Sequence, residues 1–209
     1  MKRTLLFIFI VIVCTGAALA QTITPAVTVY KEFRPAKVFL TSGKTTRLTL
    51  ANIFLKNSSL LYKSGMQTME ARMETISRVE FSDRTYYRID TVLAYRIDTI
   101  GDDALYRADR IDFEAFYQSR VNNVDITSID MGDLLQYSTA DQANEDDIHF
   151  PVVPVYYYRL NGKYVLVHER NIQRVLSKDK RQKLKFMAAQ EGFSWTDVES
   201  LMTLLKMIR

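Results

Sequence analysis

Few residues in this chain can do chemistry, since it holds only two histidines and one cysteine. His149 follows Glu145-Asp146-Asp147. Carboxylate oxygens crowded beside an imidazole make Glu145, Asp146, Asp147 and His149 the best metal candidates, but an EF-hand loop needs a glycine and a late glutamate at fixed spacing, and neither is present. The cluster therefore reads as a solvated acidic loop, and no cofactor or metal is expected. His168 ends an apolar strand and reads as a hydrogen-bonded histidine at the rim of the core. Asp102, Asp103, Asp109, Asp112 and Glu114 are numerous enough to supply the two carboxylates of a glycoside hydrolase, which is decided by their separation in space.

Other catalytic patterns fail on spacing. Ser42-Gly43-Lys44-Thr45-Thr46 looks like the end of a phosphate-binding loop, yet the position five before Gly43 is Val38, where a glycine is required, and a strand follows instead of a helix. It reads as a hairpin turn. No serine is bracketed as Gly-x-Ser-x-Gly. Trp195 falls on an apolar helical stripe and reads as core.

Composition narrows the classes further. The chain has 209 residues, with 28 Lys and Arg against 24 Asp and Glu, for a net charge of +4. Basic and acidic residues are interspersed. The densest basic run, Lys178-Asp179-Lys180-Arg181-Gln182-Lys183, reads as a solvated helix face, and nucleic acid is not an expected partner.

The first twenty residues read as a cleavable signal peptide. Met1-Lys2-Arg3-Thr4 is basic, Leu5 to Val13 is apolar, and small residues lead to Ala18-Leu19-Ala20. An apolar helix over 5–13 rises only about 14 Å, against a hydrocarbon core of roughly 30 Å. A lipid anchor at Cys14 is disfavoured because Val13 precedes it where a small residue is needed. Removing residues 1–20 takes the length from 209 to 189 and, with Lys2 and Arg3, the charge from +4 to +2. The remainder is cysteine-free and must rest on an apolar core, for which 47% hydrophobic residues suffice.

The elements that must position any site follow from periodicity. Residues 21–112 read as an antiparallel β region with short turns, because apolar residues alternate and glycines recur at Gly43 and Gly65. Tyr86 to Ile100 carries Tyr-Arg-Ile-Asp-Thr twice, at 87–91 and 95–99. Read as one continuous strand, it sets Tyr87, Ile89, Leu93, Tyr95 and Ile97 on one face and Arg88, Asp90, Arg96 and Asp98 on the other, where they would form cross-strand ion pairs. Residues 113–150 read as an irregular connection: a helical turn at Phe113, Phe116 and Tyr117, a strand over 124–129, a short helix over 131–136, and the acidic loop.

Residues 151–209 read as a hairpin followed by helices. Asn161-Gly162 is a two-residue turn signal that sets Tyr158 opposite Val165, Tyr156 opposite Val167 and Tyr157 opposite Leu166. Both faces are apolar or aromatic, so cover on both sides is expected. Ser177 caps a helix ended by Gly192. Ser194 caps the last helix, completed by Asp197.

Ala51-Asn52-Ile53-Phe54-Leu55-Lys56-Asn57-Ser58-Ser59-Leu60-Leu61-Tyr62, with Val79-Glu80-Phe81 and Tyr86-Tyr87-Arg88-Ile89-Asp90, resembles exported, uncharacterised proteins of Bacteroides-type bacteria. So does Tyr157-Tyr158-Arg159-Leu160-Asn161-Gly162-Lys163 ahead of a basic helix. The resemblance implies a periplasmic or surface location and transfers no catalytic residue.

The expectation is thus an α+β protein with an N-terminal antiparallel sheet or small barrel and a C-terminal hairpin followed by two or three helices, in which 151–209 packs with 21–112. As to function, the sequence suggests an exported, non-enzymatic envelope protein that binds another protein or a glycan. Two alternatives are a glycan hydrolase using 102–114 and a small-ligand carrier with a barrel interior lined by Tyr87 and Tyr95.

Overall fold

A computed structural model describes residues 22–24, 27–121 and 150–209. These form a mixed, β-rich fold: one antiparallel sheet of eleven strands, with four helices among the described residues. The strands are β1 (Thr22–Thr24), β2 (Arg34–Leu40), β3 (Thr45–Phe54), β4 (Ser59–Ser64), β5 (Gln67–Glu70), β6 (Ile76–Glu80), β7 (Thr85–Ile89), β8 (Val92–Ile100), β9 (Asp103–Ile111), β10 (Phe150–Leu160) and β11 (Lys163–Leu166). The helices are α1 (Phe113–Val121), α2 (Glu169–Val175), α3 (Lys178–Ala188) and α4 (Val198–Ile208).

Spatial order runs β1-β10-β9-β8-β7-β6-β2-β3-β4-β5, with β11 also on β10. Sequential hairpins generate most of it, and the turn chemistry explains where they fall. Thr41-Ser42-Gly43-Lys44 joins β2 to β3, with Gly43 at φ +82°. Asn161 and Gly162 take φ +49° and +78° between β10 and β11, the two positive angles that a tight primed turn demands. There Tyr157 faces Leu166 and Tyr158 faces Val165.

The sheet curls. The Leu55–Ser58 turn after β3 reaches across to β8 and β9, where Leu93 N–H donates to the Ser58 carbonyl at 2.7 Å and Ile111 N–H to the Leu55 carbonyl at 2.9 Å. The strand path nevertheless ends at β5 on one side and at β1 and β11 on the other, with no ladder joining those edges among the described residues. The concave face of β2, β3, β4, β6, β7 and β8 is filled by its own side chains, including Val38, Ile53, Leu60, Ile76, Val79 and Leu93. Each such aliphatic burial contributes roughly 1.5–3 kcal/mol.

Helices back the other half. Leu201, Leu204, Leu205 and Ile208 of α4 pack with Leu105, Tyr156, Tyr158 and Leu160 of β9 and β10, joined by Ile172 of α2 and Leu184 and Met187 of α3. The Tyr158 hydroxyl donates to the Leu201 carbonyl at 2.6 Å, fixing helix to sheet inside the core.

Several local expectations change. Tyr86 to Ile100 is two strands, β7 and β8, since Ile89 pairs with Val92 and Tyr86 with Tyr95. Asp90 turns the chain at φ +54°, a conformation that aspartate tolerates better than most residues. Tyr87 and Tyr95 therefore lie on opposite faces, because Tyr87 pairs with Ala94. The β10–β11 hairpin is covered by helices on one face only, and Tyr164 and Leu166 remain 40% and 41% exposed. Residues 169–175, which carry no clear pattern, form α2. The last helix is capped by Asp197, which accepts from Ser200 N–H at 2.7 Å, while Ser194 accepts from Thr196 N–H one turn earlier.

Candidate functional site

The site arises from unequal strand lengths. β6 and β7 are joined by the tight turn Phe81-Ser82-Asp83-Arg84, closed by Phe81 N–H to the Arg84 carbonyl at 2.9 Å. β8 continues past the start of β7 to Ile100. Where the short hairpin stops, the sheet edge steps, and an open notch of about 550 Å³ lies between Asp83, Arg84 and Thr85 on one side and Tyr95, Arg96, Ile97, Arg107 and Val198 on the other. A bulge between Arg96 and Asp98 changes the alternation there. Arg96 and Ile97 both line the notch.

Ring stacking orders its walls. Tyr30 packs on Phe81, Phe81 edge-on against Tyr86, and Tyr86 edge-on against Tyr95, with centroids 4.9, 5.9 and 5.8 Å apart. The Arg84 guanidinium lies 4.1 Å over the Tyr95 ring and that of Arg96 5.8 Å over Tyr87. Such stacking holds the planar group in place while its N–H edge stays available.

Charges at the notch are unequally neutralised. Arg107 pairs with Asp109 at 2.7 Å, and Arg34 with Asp83 at 2.8 Å. Arg84 and Arg96 have no carboxylate partner among the described residues. Both contacts to Asp83, from Arg34 and from the Tyr30 hydroxyl, land on Oδ1, which leaves Oδ2 open.

Burial raises the pKa of the phenols of Tyr30, Tyr86, Tyr95 and Tyr156 around this region. All are neutral at physiological pH, and each can donate a proton to a hydrogen bond. The Tyr86 hydroxyl is buried beside the Tyr30 hydroxyl and the Arg84 guanidinium, which act on its pKa in opposite directions.

Of the sequence-derived candidates, Tyr87 and Tyr95 line the notch and Asp109 pairs with its Arg107, while the others are placed elsewhere. Glu145, Asp146, Asp147 and His149 lie outside the described residues. His168 is exposed rather than at a core rim, and its Nδ1 caps α2 by accepting from Arg170 N–H. Asp103 is buried and accepts from Asn161 N–H at 2.9 Å, Asp112 accepts from Ala115 N–H at the start of α1, and Glu114 accepts from Gln118. Asp103 and Asp109 share a face of β9 six residues apart, about 20 Å at strand rise, too far for the 5–10 Å of a glycosidase pair. Trp195 packs edge-on against Phe193.

The Arg88/Asp90 and Arg96/Asp98 ion pairs do not form. Arg88 donates to the Asp90 carbonyl and Asp98 accepts from Thr99 N–H, because the turn at Asp90 and the bulge at Arg96 take the charges out of register. Sequence reasoning did not single out Arg84 or Arg107. The aromatic-basic spacing of Arg84-Thr85-Tyr86-Tyr87 was the available signal.

No family model, curated protein or solved structure matches the chain.

Proposed function

We propose that this chain is an exported, non-enzymatic envelope protein that binds a glycan or another protein, and that the notch at the β7–β8 step receives the ligand. The observation carrying this reading is the pair of tyrosine-stacked arginines with no carboxylate partner among the described residues, open to a cleft of about 550 Å³. A cleft of that size suits a discrete ligand. Binding is favoured over hydrolysis because Asp103, Asp109, Asp112 and Glu114 each already accept a hydrogen bond within the fold. It is favoured over a barrel carrier because the concave face is occupied by core side chains and Tyr87 and Tyr95 do not share it.

Export rests on the basic, apolar and small-residue order of residues 1–20, and the envelope of a Bacteroides-type cell on the resemblance of residues 51–62 and 157–163. In this reading the C-terminal hairpin with its following helices is a rigid backing that holds the long strands extended beyond the short β6–β7 hairpin, so that the step exists.

Thr85→Trp fills the notch without changing its charge. Immobilised wild-type chain is expected to retain specific envelope protein or glycan that the Thr85→Trp chain releases. Equal retention by both, with both folded, contradicts the reading.

A further inference from the structure

We propose, resting on that notch being the ligand site, that its ligand is an anionic saccharide, which offers acidic groups to Arg84 and Arg96 on the two faces of the sheet edge and hydroxyls to Asp83, Thr85 and Tyr95. The charge count comes first. Arg34, Arg84, Arg96 and Arg107 face Asp83 and Asp109, and the two ion pairs cancel four of these six charges. The remaining two positive charges, on Arg84 and Arg96, are on the residues that line the cleft. A neutral ligand would leave both uncompensated. An anion answers them, because a guanidinium supplies the paired N–H donation that carboxylates and sulfate or phosphate esters accept.

The second half of the assignment comes from acceptors. A site for a simple acid needs donors alone. Here Asp83 Oδ2 is open because both donors to Asp83 use Oδ1, and Thr85 and Tyr95, which carry hydroxyls, share the lining. A carboxylate acceptor beside arginines calls for a ligand that carries donors as well as an anion. Sugar hydroxyls next to an acidic group meet both needs. An acidic peptide satisfies the arginines but brings no hydroxyl row for Asp83. The open mouth and a volume of about 550 Å³ accommodate a few saccharide rings.

Calorimetric titration of the full chain tests this with four probes: tetragalacturonate, a sulfated heparin tetrasaccharide, neutral cellotetraose and tetraglutamate. The expected result is binding of one or both acidic saccharides, weakened by added salt and weakened at least about tenfold by Arg84→Gln with Arg96→Gln. Neutral cellotetraose is expected to bind at least about tenfold more weakly. If the double variant fails to fold, Arg96→Gln alone serves, since Arg96 is exposed on its strand, and a several-fold loss is expected.

Absence of binding by both acidic saccharides overturns the proposal, as does equal binding of cellotetraose. Tetraglutamate binding as tightly as the acidic saccharides, with the same arginine dependence, replaces the saccharide with an acidic peptide. Envelope material lost on Thr85→Trp but kept by the arginine variant sinks the anionic assignment and leaves the notch standing. Material kept by both variants removes the notch as well.

Discussion

Single residues decide more of this structure than their number suggests, and Asn52 is the clearest case. It is fully buried, yet its side chain copies a strand: Oδ1 accepts from Tyr30 N–H at 3.0 Å while Nδ2 donates to the Tyr30 carbonyl at 2.8 Å. That pins Tyr30, which in turn holds Phe81 and Asp83 at the edge of the notch. Asn52→Ala leaves the part-buried Tyr30 N–H without its acceptor, while the Tyr30 carbonyl keeps the Thr28 hydroxyl, and should cost about 1–3 kcal/mol. Chemical denaturation would register it as a lower midpoint, and an unchanged midpoint would show that water replaces the amide. The residue lies inside the stretch that carries the resemblance, so part of that resemblance encodes a structural tie. Nothing in the sequence announced it, because an asparagine between Ala51 and Ile53 looks like an interruption until its partner 22 residues upstream is known.

At the scale of elements, the turns at Gly43, Gly65 and Asn161-Gly162 were readable and the one at Asp90 was not. Asn161-Gly162 fixes the pairing of Tyr158 with Val165, since few sequences accept two positive φ angles in succession. Ile89-Asp90-Thr91-Val92 makes an equally tight connection but offers no glycine or asparagine, and unbroken alternation on both sides hides it. The repeated pentapeptide thus sits on two antiparallel strands, with Tyr87 and Tyr95 on different faces.

The next strands, β9 and β10, carry buried phenols. Burial, and then hydrogen bonding with Tyr164, pushes Tyr106 up to about 12, and burial alone raises Tyr158. A raised phenol pKa means that the folded state holds the proton more firmly. This stabilisation is complete below the unfolded phenol value of about 10 and is lost as pH rises through 10 towards 12. Alkaline titration should therefore show tyrosinate absorbance appearing together with loss of sheet signal, starting near pH 10. Ionisation of all twelve tyrosines near pH 10 with the sheet intact would contradict this assignment of buried phenols.

For the whole molecule, the β-rich mixed class was legible from alternation and turn spacing, while the notch was not. It depends on β8 outrunning β7, on a bulge at Arg96 and on α4, a hundred residues later, bringing Val198 to the far wall. Asp103, Asp109, Asp112 and Glu114, which looked catalytic along the sequence, proved to cap, pair or brace once the sheet formed. Of the two uncompensated arginines, Arg96 stood in the strip expected to form ion pairs, and Arg84 was unremarkable in a chain with 28 basic residues. The most direct measurement is a map of backbone amide shifts on titration of the full chain with tetragalacturonate. The account predicts changes clustered at Arg84, Thr85, Tyr95, Arg96 and Val198. Shifts confined to the basic face of α3 around Lys183 and the exposed Phe186, or none at all, would contradict it.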